Sequence, residues 1–398
     1  MAAVPWYVVG LFMVRHVPGI SGQNMDFFLE FMCCLSNATF AAGAVAVFFL
    51  ILVRVGISEA RALLATSIFG LATPIFAYSA WFYSEPLTTL LWMAGAYLLF
   101  CCELKERSAM LAGVVTGLSV LVRPTNALVL CLFTVGAIAW RGRNELKKAI
   151  WFAAGTAIPI AILFIYNASL FGNPLDFGYP AVAENGRKLN SFSTPFYVGL
   201  YGFLLSPGKS VFLFSPPLLL GLLGIRKLWK ANRGLAFLAM TAPLLYIAFF
   251  CTYAQWEGGY SYGPRYLVPS LALFSITIGT ALDRRDQLAR TLAWATAGAG
   301  FVVQCIGIAT SFLEAEVSSR GYYEASWNYN LSFSIAEYVR VLFHYLTHPG
   351  PAPLGLGFDR WFLFLAKAGV ATSTISAIAA LITFGMLLSC ASLRKSLR

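Results

Sequence analysis

Apolar runs of roughly bilayer-spanning length recur along the whole chain, separated by short basic loops. A hydrocarbon core takes about 20 helical residues to cross, and inside it every backbone polar group must find an internal partner. A chain with this pattern is restricted to a bundle of membrane helices. The strands of a lipid-facing barrel would alternate over about ten residues at a time, and no such alternation is seen. Spans are expected at 30–53, 62–78, 86–102, 110–122, 127–140, 149–166, 211–225, 234–252, 267–282, 291–312 and 361–390, about eleven in all. Residues 2–14 are apolar but short. The expected class is an all-α polytopic membrane protein with one membrane-embedded domain over 1–398 and long external loops.

Of the 398 residues, 59% are hydrophobic and 11% charged, where a soluble domain carries about 25% charged residues. The net charge of +11 does not point to nucleic acid. The bases cluster between spans, at Arg141, Arg143, Lys147 and Lys148, at Arg226, Lys227, Lys230 and Arg233, and at Arg284, Arg285 and Arg290. That is the positive-inside pattern on alternate loops. It places 15–29, 79–85, 167–210, 253–266 and 313–360 on the external face, with most of the acids. The eight cysteines have no zinc-type spacing with histidine and read as small buried hydrophobes.

The external stretch 253–269 is the densest in chemistry. It holds Trp256, Glu257, Gly258, Gly259, Tyr260, Tyr262, Arg265 and Tyr266. Adjacent glycines let the backbone take positive φ and let a ligand approach. The plain alternative is an interfacial loop, because Trp and Tyr gather at headgroup level. Tyr83-Ser84-Glu85-Pro86 opens a span, with Pro86 fixing the first turn and Glu85 complementing the helix dipole. Its carboxylate is a candidate base or metal ligand. In either role Glu85→Gln keeps size and capping ability, so stability should stay nearly unchanged while activity falls about a hundredfold. Arg123-Pro124-Thr125-Asn126 joins two short spans, and an arginine at that depth needs a partner or must snorkel. Lys209 is one of few external bases. With Arg265 and Arg123 it is a candidate phosphate clamp. Asp176 lies in the turn-rich start of loop 167–210.

The ordered set Tyr-Ser-Glu-Pro (83–86), Arg-Pro-Thr (123–125), Phe-Gly-Asn-Pro-Leu (171–175), Ser-Pro-Gly-Lys-Ser (206–210), Ser-Pro-Pro (215–217) and Trp-Glu-Gly-Gly-Tyr-Ser-Tyr-Gly-Pro-Arg-Tyr (256–266) resembles bacterial GT-C glycosyltransferases. These are polytopic relatives of the dolichyl-phosphate-mannose protein mannosyltransferases. The resemblance covers about 1–285 and fades over 286–398. It implies a GT-C-like bundle in the cytoplasmic membrane, working on the periplasmic or extracellular face. The donor would be a polyprenyl-phosphate sugar and the acceptor a hydroxyl on a glycan, lipid or protein. Many members use a divalent cation, so the resemblance carries that option as a cofactor. A carboxylate must deprotonate the acceptor, with Glu85, Glu257 and Asp26 as candidates. Arg265, Lys209 and Arg123 would hold the phosphate, while Trp256, Tyr260, Tyr262 and Asp176 would line the substrate. Family members begin with a further helix and an Asp-bearing loop, whereas this sequence resembles the segment after them. Either Asp26 or Glu30 substitutes, or that helix and base are missing. The competing readings are a lipid-linked sugar transporter or flippase, and a relative that binds the lipid carrier without catalysis.

Overall fold

The computed structural model describes residues 2–16, 25–103, 105–141, 146–178, 183–184, 187–188, 192–259, 261–283, 287–310 and 334–347. These residues are almost entirely helical. α1 (Val4–His16) and α2 (Met25–Arg54) form an antiparallel pair, with Gly10 against Leu29 and Met32 and Trp6 against Phe40. α3 (Glu59–Ala72), α4 (Pro74–Ser79) and α5 (Glu85–Ala96) follow, and α5 continues into a π-helical turn, Tyr97–Cys101. Next come α6 (Glu106–Val122), α7 (Ala127–Arg141) and α8 (Leu146–Phe171). Two-residue strands, β1 (Ala183–Glu184) and β2 (Arg187–Lys188), pair antiparallel. The remaining helices are α9 (Phe196–Leu204), α10 (Val211–Phe214), α11 (Pro217–Ala231), α12 (Arg233–Phe250), α13 (Val268–Leu282), α14 (Gln287–Ala309) and α15 (Ile335–Thr347).

Among the described residues five helices are long and apolar enough to cross a membrane: Phe28–Arg54, Lys147–Phe171, Arg233–Phe250, Arg265–Leu282 and Ala289–Ala309. Glu85–Cys101 and Pro124–Ala137 are shorter apolar helices. Two expected spans are broken, each ahead of a proline. Thr73 is extended (φ −125, ψ 164) before Pro74, and Ser215 leaves the helix (φ −144, ψ 67) before Pro216. A proline ring disfavours the helical conformation at the residue before it. The expected span 361–390 lies outside the described residues.

Small residues set the closest helix contacts. A Cβ on Gly113 would collide with the Phe152 carbonyl oxygen, and one on Gly155 with that of Met110. Where apolar solvent gives no hydrophobic drive, such close approach supplies the attraction. The pairing order makes α6 and α8 parallel, so α7 returns between them. The same alternation sorts the bundle into two ends. Arg61, Lys227 and Asp283 meet at one end, where the Asn232 side chain also donates to the Phe100 carbonyl at 2.9 Å. Residues 79–85, 123–126 and 253–266 meet at the other. Arg61 and Lys227, which the sequence assigns to one side, therefore share an end of the bundle; Arg143, Arg284 and Arg285 lie outside the described residues.

Candidate functional site

The second end is built around Glu85. Its side chain is 1% exposed, and its Oε1 accepts from Arg123 Nη2 at 3.0 Å and from Arg265 Nε at 2.8 Å. Three elements deliver these groups. Glu85 is the first residue of α5, with Pro86 behind it. Arg123 follows α6 in an extended conformation (φ −154, ψ 121), because Pro124 comes next. Arg265 opens the 3-10 turn Arg265–Leu267 that leads into α13. Each guanidinium also lies over a ring. Arg265 sits 4.2 Å from the centroid of Tyr83 and Arg123 sits 5.1 Å from that of Tyr266. Desolvating a carboxylate is costly, and only well-placed opposite charges with hydrogen bonds offset it. Here two cations face one anion. One positive charge remains over, in a form suited to an anionic ligand.

The adjacent glycines of loop 253–266 take the positive φ expected of them. Gly258 and Gly259 take φ +89 and +64, and the Gly258 carbonyl accepts from Arg265 Nη1 at 3.4 Å. Glu257 stands beside this contact and is 3% exposed. Lys209 reaches the same end but not the carboxylate of Glu85. It is 1% exposed, and its Nζ donates to the Ser261 carbonyl at 2.7 Å. Tyr78 links the two parts: its hydroxyl donates to the Tyr262 carbonyl at 2.8 Å, it hydrogen-bonds with the Ser261 side chain, and its ring lies 5.4 Å from that of Tyr83.

Other candidates stand apart. Trp256 is packed against Gly202 and edge-on to Phe203 at 5.5 Å. Tyr262 is packed between Phe214 and Tyr338 and donates to the Val303 carbonyl at 2.5 Å. Burial pushes the Tyr262 phenol well above its ordinary range, so it stays a neutral donor. Both rings are therefore packing groups rather than open platforms. Asp176 is exposed and closes a turn by accepting from the Gly178 amide at 2.9 Å. Asp26 is exposed in the first turn of α2. It precedes Asn37, which touches the site loop, by about 16 Å of helix at ~1.5 Å per residue. Tyr260 lies outside the described residues.

Two features were not singled out from sequence. Asn37, buried on α2, donates to the carbonyls of Trp81 and Tyr83 at 2.5 and 2.6 Å and so shapes the segment before Glu85. A cavity of about 720 Å³ opens beside that segment. Ser36, Asn37, Tyr83, Ser84 and Tyr166 supply its polar lining, and leucines with Ile162 line much of the rest. The available signal was a polar residue in the middle of an apolar run, which is costly without a structural or functional reason.

Among the described residues no three His, Cys, Asp or Glu side chains gather as a metal cluster. The residues present at Glu85 do not fit a divalent cation, because its Oε1 already serves two guanidiniums whose charge repels one. Comparison with known family models, curated proteins and solved structures finds no match.

Proposed function

We propose that the Glu85–Arg123–Arg265 centre binds the phosphate of a polyprenyl-phosphate sugar, and that the chain is a membrane glycosyltransferase passing that sugar to an acceptor hydroxyl. One observation carries the reading. Two guanidiniums share one carboxylate, and Glu85 and Arg123 directly follow Ser84 and Val122, which line a largely apolar cavity, so an amphiphile with its anionic head at the arginines and its hydrocarbon tail in the cavity fits. Arg forks suit phosphate, and the same pair would stabilise the charge that grows on the leaving phosphate. The resemblance in motif order supports the sugar-transfer part, and the basic-loop pattern supports an external active face of the cytoplasmic membrane.

In this reading Glu85 orients the two cations. The general base then falls to Glu257, buried next to the Arg265 contact. The engagement of Glu85 also favours a second reading, a lipid-carrier-binding relative without catalysis. The test uses the full chain in nanodiscs. A long-chain polyprenyl phosphate is expected to bind, the matching polyprenol to bind at least about tenfold more weakly, and Arg265→Ala to remove the difference, as losing a charge-assisted pair predicts. Equal binding of alcohol and phosphate ends the proposal. Sugar release from a radiolabelled polyprenyl-phosphate hexose, lost in Glu257→Gln, separates the enzyme from the passive binder.

A further inference from the structure

Behind the two arginines lies a buried polar cluster that the phosphate reading does not use. Its centre is Asn126, 2% exposed, in the tight turn between α6 and α7. The Asn126 backbone amide donates to the Arg123 carbonyl at 2.9 Å. Its side-chain Nδ2 donates to the Ser119 carbonyl at 2.7 Å, the same oxygen that accepts from the Arg123 amide at 3.0 Å. Asn126 thus meets the Arg123 backbone directly through its own amide and indirectly through its side chain, which shares the Ser119 carbonyl with the Arg123 amide. Nδ2 also lies 3.3 Å from Thr88 Oγ1, on α5 just after Glu85. Oδ1 accepts from the Tyr246 hydroxyl at 2.9 Å, on α12. Trp92 completes the layer, donating to Ser119 Oγ at 3.0 Å and standing edge-on to Tyr246 at 5.3 Å.

One amide therefore ties α5, which carries Glu85, to the α6 end, which carries Arg123. An asparagine inside an apolar bundle is costly unless its groups are satisfied. A fully satisfied network is rigid and permits a single arrangement. Neither helix packing nor the arginine's own contacts require an amide at this position. We propose that Asn126 is a positioning residue: it fixes where Arg123 stands relative to Glu85, and hence the spacing of the cationic pair. Its ligand consequence rests on the phosphate reading above; its effect on the Arg123–Glu85 pair does not.

Two experiments keep those apart. The first is a thermal-stability cycle in detergent, with no ligand. Asn126→Ala and Glu85→Gln should be strongly non-additive in Tm, because the first already loosens the pair that the second breaks. Asn126→Ala and Asp283→Asn, at opposite ends of the bundle, should add. Additivity in both pairs overturns the proposal whatever the ligand proves to be. Where Asn126→Ala fails to fold, Tyr246→Phe replaces it, removing one donor only.

The second measures polyprenyl phosphate binding by Asn126→Asp, as a ratio to wild type at each pH so that the phosphate's own titration cancels. A protonated aspartic acid donates to the Ser119 carbonyl as the amide does. Its ionised form repels that oxygen and competes with Glu85 for Arg123. The ratio should be near one at the acid end and fall about tenfold or more as pH rises, the scale of one disrupted buried hydrogen bond. A ratio independent of pH overturns the positioning role. Wild type that binds no phosphate lipid, together with a coupled stability cycle, ends the phosphate reading and leaves the positioning role standing.

Discussion

The two ends of the bundle carry the same charge set in opposite settings. At one, Asp283 meets Arg61 and Lys227; at the other, Glu85 meets Arg123 and Arg265. Asp283 is 18% exposed with partners 37% and 45% exposed, whereas Glu85 is 1% exposed with partners at 18% and 21%. Water screens the first cluster and the second must satisfy itself. The first joins α3, α11 and α13 as a surface tie. The second holds two mostly buried cations around a carboxylate that solvent does not reach, an arrangement suited to a partly desolvated anion site.

The largest effect is expected from Glu85→Gln. Removing one partner of a buried ion cluster leaves uncompensated charge and costs about 3–5 kcal/mol. A clear drop in Tm should accompany loss of phosphate-lipid binding. This departs from the expectation that Glu85→Gln, as a change at a base or metal ligand, leaves stability nearly unchanged, because this carboxylate faces two guanidiniums rather than water. An unchanged Tm would show that the two ends are energetically alike.

Arg265→Lys comes next. Lysine keeps the charge but cannot reach Glu85, the Gly258 carbonyl and a phosphate together, and it stacks poorly over Tyr83. Binding of polyprenyl phosphate should weaken about tenfold or more, with a smaller loss of Tm than for Glu85→Gln. Equal affinity in the lysine variant would reduce the site to a point charge.

How much of this was legible in sequence differs between the ends. Basic loops announce themselves by composition, so the shared end of Arg61 and Lys227 followed from counting alternate loops. Glu85, Arg123 and Arg265 were each picked out, since a charge beside an apolar run is conspicuous. The two arginines were expected together as a clamp, but not their shared pairing with Glu85, which lies 38 residues from Arg123 and 180 from Arg265. Lys209 illustrates the limit: its external position was expected, yet whether it would meet a carboxylate or a backbone carbonyl depends on packing alone. Asn126 was quoted only as a turn residue, and its role appears once Thr88, Ser119 and Tyr246 are seen around it. The helix breaks at Thr73 and Ser215 are local, carried by Pro74 and Pro216, and hydropathy alone does not register them.

The smallest effect is expected at Asp283. Burial alone would raise its carboxyl, but the hydrogen bond and charge of Lys227, then those of Arg61, hold it below the ordinary range. A lowered folded-state value stabilises the fold above the unfolded value of about 3.9 and loses that contribution as pH falls through the folded value. Both partners are more than a third exposed, so screening keeps the gain to about 1 kcal/mol or less. Asp283→Asn should therefore lower Tm slightly at neutral pH. The gap should shrink in high salt, narrow as pH falls through about 4, and close only below the folded value of Asp283, where the native carboxylate is itself protonated. A gap that persists in molar salt and in acid would mean that Asp283 is as self-contained as Glu85. The contrast between the two ends would then rest on their neighbours rather than on water.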